Sequence, residues 1–280
     1  MKELLEKPPL RFVYLLLRRY LRHNVGIQSA ALAFYLLFMI FPFLIFISSL
    51  LGLLQLDVAS ILREMEALLP REVVELAGMY LTHVGQHPSM RLLLFGLVFS
   101  VWFPMRAAKT LMRAVRTAYH LGPPRRAVVH TAKALVYTGM LILSIALTLM
   151  LLTVSDRLLS YGVKQMSLPP LAAVLWRRLR FPLAAAVGFF ALFFLYALAQ
   201  DRHRPWRELW PGTLAALAVW LGLSWVYRWY VEHIAHYSLF YGSIGAIIVV
   251  LIWLYLSAVV LIMGAEVNAV LIGMKKDRAS

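Results

Sequence analysis

The chain has 280 residues, of which 62% are hydrophobic and 15% charged, and a mean hydropathy of +0.76. Soluble domains hold roughly 45–50% apolar and about 25% charged residues, so this excess apolar surface needs lipid as its solvent. The absence of cysteine excludes disulfides, thiolate nucleophiles and zinc-thiolate sites, and leaves the redox compartment open.

A net charge of +15 invites a nucleic-acid reading, but its distribution argues otherwise. A nucleic-acid footprint gathers on one face, whereas here Lys and Arg fall in short clusters between hydrophobic runs. That pattern belongs to membrane topology, and no nucleic-acid partner is expected.

Residues 1–29 read as a cytoplasmic amphipathic segment. Leu10, Val13, Tyr14, Leu17 and Leu21 share one stripe, with Arg11, Arg18 and Arg22 elsewhere. The first long apolar run begins only at Ala30, so this is not the pattern of a secretory signal.

About 20 apolar residues in a helix cross a hydrocarbon core of about 30 Å. The six runs expected to do so are Ala30 to Leu54, Met90 to Met105, Ala134 to Ser155, Phe181 to Gln200, Leu209 to Tyr227, and a sixth within Ser243 to Ile272. The second is short of uncharged residues and needs snorkelling ends or a thinned bilayer. The fold expected is therefore an all-α, six-span bundle over 30–272, with a cytoplasmic tail over 273–280. Residues 55–89 carry two amphipathic stretches separated at Pro70, and read as an outer helical insertion.

Orientation follows from the basic residues. With both termini cytoplasmic, the inner segments hold 19 of the 28 Lys and Arg, in accord with the positive-inside rule. Arg177, Arg178 and Arg180 fall outside and argue back locally.

Polar residues within the spans are candidates for a path. Gln28, Tyr35 and Pro42 lie on one face of the first span, and Pro42 removes a backbone hydrogen bond there. Glu266 in the sixth span must reach water, pair or bind a proton; an ion pair with a basic residue such as Arg106 or Lys109 competes with a role in coupling or substrate contact and with an exposed carboxylate in the interface. Asn268, one helical turn from Gly264, seeks a polar partner. Arg106, Lys109, Arg113 and Arg116 form a basic stripe after the second span, either an orientation signal or a contact for lipid head groups. His233 and His236 lack convergent further ligands, so no metal, cofactor or catalytic residue is expected.

Several motifs together resemble the YihY/virulence factor BrkB membrane-protein family. They are Ala30-Ala31-Leu32-Ala33-Phe34-Tyr35 with Phe41-Pro42, Pro211-Gly212, Tyr241-Gly242-Ser243-Ile244-Gly245, Trp253-Leu254-Tyr255 and Gly264-Ala265-Glu266-Val267-Asn268-Ala269. Arg116 stands where that family's pattern has Asn, so no role resting on that Asn carries over. The resemblance implies a six-span inner-membrane protein, with some members linked to envelope lipid movement or serum resistance. An older family label, ribonuclease BN, finds no support in a clustered His and Asp centre.

The function expected is transport or flipping of an amphiphilic or lipid-related substrate. Gln28, Tyr35, Pro42, Glu266 and Asn268 would lie along the path, and Arg106, Lys109 and Arg113 would meet head groups. No P-loop is present, which argues against direct ATP drive. Membrane lipids are the expected partners, with envelope proteins possible. A non-transporting scaffold for envelope assembly is the alternative.

Overall fold

A computed structural model of the chain describes residues 8–53, 89–124, 126–165, 170–200, 205–233 and 243–277. They form seven α-helices: α1 (Pro8–Arg22), α2 (Val25–Leu53), α3 (Met90–Ala118), α4 (Ala127–Gln165), α5 (Pro170–Leu198), α6 (Trp210–His233) and α7 (Ser243–Asp277). A 3-10 turn, Trp206–Glu208, precedes α6. Six helices, α2 to α7, are long and apolar enough to cross a membrane. The expected insertion over 55–89 lies outside the described residues, Ser89 excepted.

The helices run beyond the expected apolar stretches. Those stretches were bounded by charge, whereas the helices end where backbone hydrogen bonding stops. Thus α3 carries its basic stripe as a continuation of the span, and α4 extends well past Ser155. Pro42 lies inside an unbroken α2, consistent with a span that tolerates proline.

The chain divides into two compact units, residues 34–107 and residues 1–33 with 108–280. In the first, α2 and α3 approach closely at Gly96. A Cβ there would stand 2.5 Å from the Phe46 amide nitrogen and 2.9 Å from the Pro42 carbonyl oxygen. Glycine is required because backbone, not a movable side chain, occupies that space.

In the larger unit α4 packs along α5, α6 along α7, and α1 lies against α7. Its interior is rich in alanine: Ala114, Ala134, Ala191, Ala216, Ala258 and Ala265 are buried. Large apolar side chains such as Ile145, Phe190 and Leu221 are exposed. Small residues inside and bulky ones outside suit a solvent as apolar as leucine, in which close packing rather than water exclusion holds helices together. On α1 the expected stripe is uncovered too, Leu17 at 62% and Leu21 at 73% exposure.

Side chains donating to carbonyl oxygens stitch several helix ends of this unit into one region. Arg19 reaches Ala118 O at 3.1 Å and Arg116 reaches Ala199 O at 3.1 Å. Lys133 reaches Gln200 O at 2.9 Å, and Asn268 reaches Leu209 O at 2.9 Å. The ends of α1, α3 and α5 and the starts of α4 and α6 therefore share one end of the unit.

Candidate functional site

The elbow between α1 and α2 brings α1 back onto α7. Asn24 adopts φ 51°, a left-handed turn that asparagine tolerates. Arg19 and His23, one turn apart at the end of α1, thereby both reach Glu266. Arg19 Nη1 donates to Glu266 Oε2 at 3.1 Å, and His23 Nδ1 donates to Oε1 at 2.5 Å. Gln28 donates to His23 O at 2.7 Å, holding the elbow from the α2 side. Glu266 is fully buried, so each carboxylate oxygen has exchanged water for a charged or polar donor.

His120 closes the cluster. It ends α3 in a Schellman motif, with its N–H on Thr117 O at 3.0 Å and the Leu121 N–H on Arg116 O at 2.9 Å. Its own φ of 54° lies in the left-handed region that glycine usually fills. Arg19 Nη2 stands 3.3 Å from His120 Nε2. Arginine can only donate, so that nitrogen is the acceptor and the imidazole is neutral. Desolvation, followed by the charges of Arg19 and His23, lowers the pKa of His120 below 6.5.

Asn268 supports a second joint. Its Oδ1 accepts the Gly212 N–H at 2.6 Å, and its Nδ2 donates to Leu209 O at 2.9 Å. The first turn of α6 has orphan N–H groups, and Asn268 takes the place of a capping residue from another helix. Close approach depends on glycine, since a Cβ at Gly212 would collide with Gly264 O and the Asn268 side chain. The Pro211-Gly212 and Gly264-to-Asn268 motifs are thus two halves of one contact.

The basic stripe on α3 opens onto a cleft of about 520 Å³. Lys109, Arg113 and Arg116 line it from α3, Gly122 to Pro124 from the link, and Ala127, His130 and Thr131 from α4. Arg116 is a buried pin as well, donating from Nε and Nη2 to Gly122 O at 3.2 and 2.7 Å. Arg113 is exposed. His130 is 8% exposed, and its buried Nε2 has no hydrogen-bond partner among the described residues. Such an orphan costs about 1–3 kcal/mol unless something accepts or donates there.

The expected site residues therefore divide. Gln28, Glu266 and Asn268 belong to the joints of the larger unit, and Lys109 and Arg113 to its cleft. Tyr35 and Pro42 lie in the smaller unit, as does Arg106, whose guanidinium stands 5.0 Å over the Trp102 ring. Glu266 has its ion pair on α1 at Arg19, not at the nearer-seeming Arg106 or Lys109. Sequence reasoning missed Arg19, His23, His120 and His130. Only the i, i+4 spacing of Arg19 and His23 was there to be seen. Arg116, noted as a departure from the family pattern, is the pin that joins α3 to α5.

Among the described residues, no group of three or more His, Cys, Asp or Glu side chains could hold a metal ion. His236 lies outside them, and His233 donates from Nδ1 to Trp229 O at 2.9 Å.

Comparison with known proteins is consistent over nearly the whole chain. The family profile described as Virulence factor BrkB matches residues 16–280. A Bacillus subtilis protein named ribonuclease-like, YfkH, is 28% identical over 265 residues, 95% of this chain and 96% of that protein. A UPF0761 membrane protein of Chromohalobacter salexigens is 26% identical over 93% of this chain and 63% of its own length. Another, of Alkalilimnicola ehrlichii, is 41% identical over 76 residues, 27% of this chain and 17% of that protein. No solved structure matches.

Proposed function

The chain belongs to the virulence factor BrkB family, and from that premise we propose that it moves an amphiphilic, lipid-related substrate within or across the cytoplasmic membrane. The observation that carries this reading is the cation-lined cleft of about 520 Å³ at the end of a membrane-spanning helix. Lys109 and Arg113 offer charge to a head group there, while the exposed Val128 and Val129, next to Ala127 in α4, offer apolar surface to its tails. Both termini face the cytoplasm in this reading, which agrees with the basic residues gathered at the stitched helix ends. The exposed stripe of α1 then rests in the interface on that side.

The Arg19, His23 and Glu266 cluster is the coupling element of this proposal. Opening the bundle would separate α1 from α7 at a buried carboxylate, which must then gain a proton or water. A proton or substrate gradient could drive it. Gln28 and Asn268, both in the larger unit, would line the path in the open state.

One observation favours the scaffold reading: Glu266 and Asn268 have their polar atoms engaged in helix joints. A bundle closed in this way serves as well for docking envelope proteins as for transport. The name of YfkH also raises ribonuclease activity, which no metal-holding group among the described residues supports.

Reconstitution decides between these readings. Purified protein in liposomes with a fluorescent anionic phospholipid is expected to speed loss of signal to an impermeant quencher. Arg113→Gln should slow that movement with the protein still folded. No movement of anionic or zwitterionic lipid above protein-free liposomes would overturn transport in favour of a scaffold.

A further inference from the structure

We infer that the α3–α4 cleft is a phosphate-binding site, with His130 and the first turn of α4 as its recognition elements and Lys109 and Arg113 supplying charge. This inference rests on the proposed head-group reading and specifies the chemical group recognised.

Three observations converge on an anion. The first turn of α4 contains no acidic residue, and the residue before it is Arg126, whose carbonyl accepts the His130 N–H at 3.1 Å. A guanidinium cannot accept a hydrogen bond, so Arg126 does not cap the N–H groups that open the helix. These donors and the positive end of the helix dipole lie in the turn that begins at Ala127, a residue that lines the cleft.

Independently, His130 lines the same cleft with a buried Nε2 that has no partner among the described residues. With the proton on Nε2, a phosphate oxygen would satisfy it. A third contribution comes from charge: Arg113 is exposed at the rim, with Lys109 beside it. Arginine matches tetrahedral phosphate with paired donors, which water in the cleft cannot reproduce. Phosphate is favoured over carboxylate because donor-bearing residues line the cleft from both α3 and α4, and a phosphate carries more oxygens than a carboxylate to meet them. A phospholipid head group and a soluble phosphate share this chemistry.

The test uses the full chain in neutral detergent, with histidine rings labelled with ¹⁵N. Inorganic phosphate is expected to bind saturably and to move the His130 ring resonance with the same midpoint. Arg113→Gln should weaken binding about tenfold or more, since a charge-assisted hydrogen bond is lost. His130→Gln, which keeps a donor, should weaken it less than His130→Leu. Arg22→Gln, an exposed cation on α1, should leave it unchanged.

A second arm places the protein in nanodiscs. Movement of the His130 resonance by phosphatidylglycerol but not by free phosphate identifies a lipid head group and upholds the site. The inference is overturned if neither ligand moves His130, or if Arg22→Gln weakens binding as much as Arg113→Gln. A protein that binds phosphate but moves no lipid keeps the site and loses the transport reading. Lipid movement that survives an absence of binding does the reverse.

Discussion

Arg19 and Glu266 are 247 positions apart, yet they meet at 3.1 Å and tie the first helix to the last. The carboxylate is buried, while the guanidinium is partly open to solvent, with 19% of its side chain exposed against 1% for Glu266. That asymmetry sets what each substitution does. Loss of the arginine leaves a buried negative charge with one partner, whereas loss of the carboxylate leaves a cation that can turn to water.

Arg19→Met is therefore expected to destabilise the folded protein by about 3 kcal/mol, the scale for breaking a buried pair. Glu266→Met should cost less, and the double substitution less than the two costs added. Thermal unfolding in detergent, run as a double-mutant cycle, reads this directly. Strict additivity would show that the two side chains do not act as a pair.

The pH response should follow His120. Its pKa is lowered by desolvation and by Arg19 and His23, with Glu266 opposing. In the unfolded chain it titrates near 6.5, so between that value and its lower folded value the unfolded state binds more protons. Its contribution to stability is thus full above pH 6.5 and declines as pH falls through the folded pKa. Ring NMR should show His120 titrating below 6.5, lower still in Glu266→Gln and higher in Arg22→Gln. Stability in His120→Gln should lack this component between pH 7 and 5.

At the second joint, Asn268→Ala removes two hydrogen bonds and leaves the Gly212 N–H and Leu209 O buried without that partner. A loss of about 2–3 kcal/mol is expected. Gly212→Ala should cost at least as much, because its Cβ meets backbone and the Asn268 side chain. Removing the Asn268 side chain relieves only part of that clash, so Gly212→Ala with Asn268→Ala should remain destabilised through Gly264 O. Thermal melts of the three variants check the order.

Topology can be read with single cysteines, since the chain has none of its own. Arg126→Cys and Arg207→Cys should react with an impermeant maleimide only when the cytoplasmic face is exposed. Arg178→Cys, at the start of the α5 span, should react from the opposite face. Labelling of Arg126→Cys and Arg207→Cys from different sides would contradict the stitched helix ends.

The sequence by itself determined the solvent, the all-α class and the six crossings. Hydropathy is a local and additive property, and a window about one membrane thickness long contains all of the information it needs. It also marked Glu266 and Asn268 as residues that needed partners, because an unpaired polar group in hydrocarbon is costly wherever it lies.

Only the tertiary structure decided who those partners are. The pairing of Glu266 with Arg19 and His23 depends on the Asn24 turn that folds α1 back, and the Asn268 joint depends on two glycines in different helices. The basic stripe of α3 was legible as a stripe, but its division was not. Arg106 meets Trp102, Arg116 pins carbonyl groups, and Lys109 and Arg113 face a cleft. Spacing along one helix gives direction around its axis; what stands opposite is set by the packing of the others.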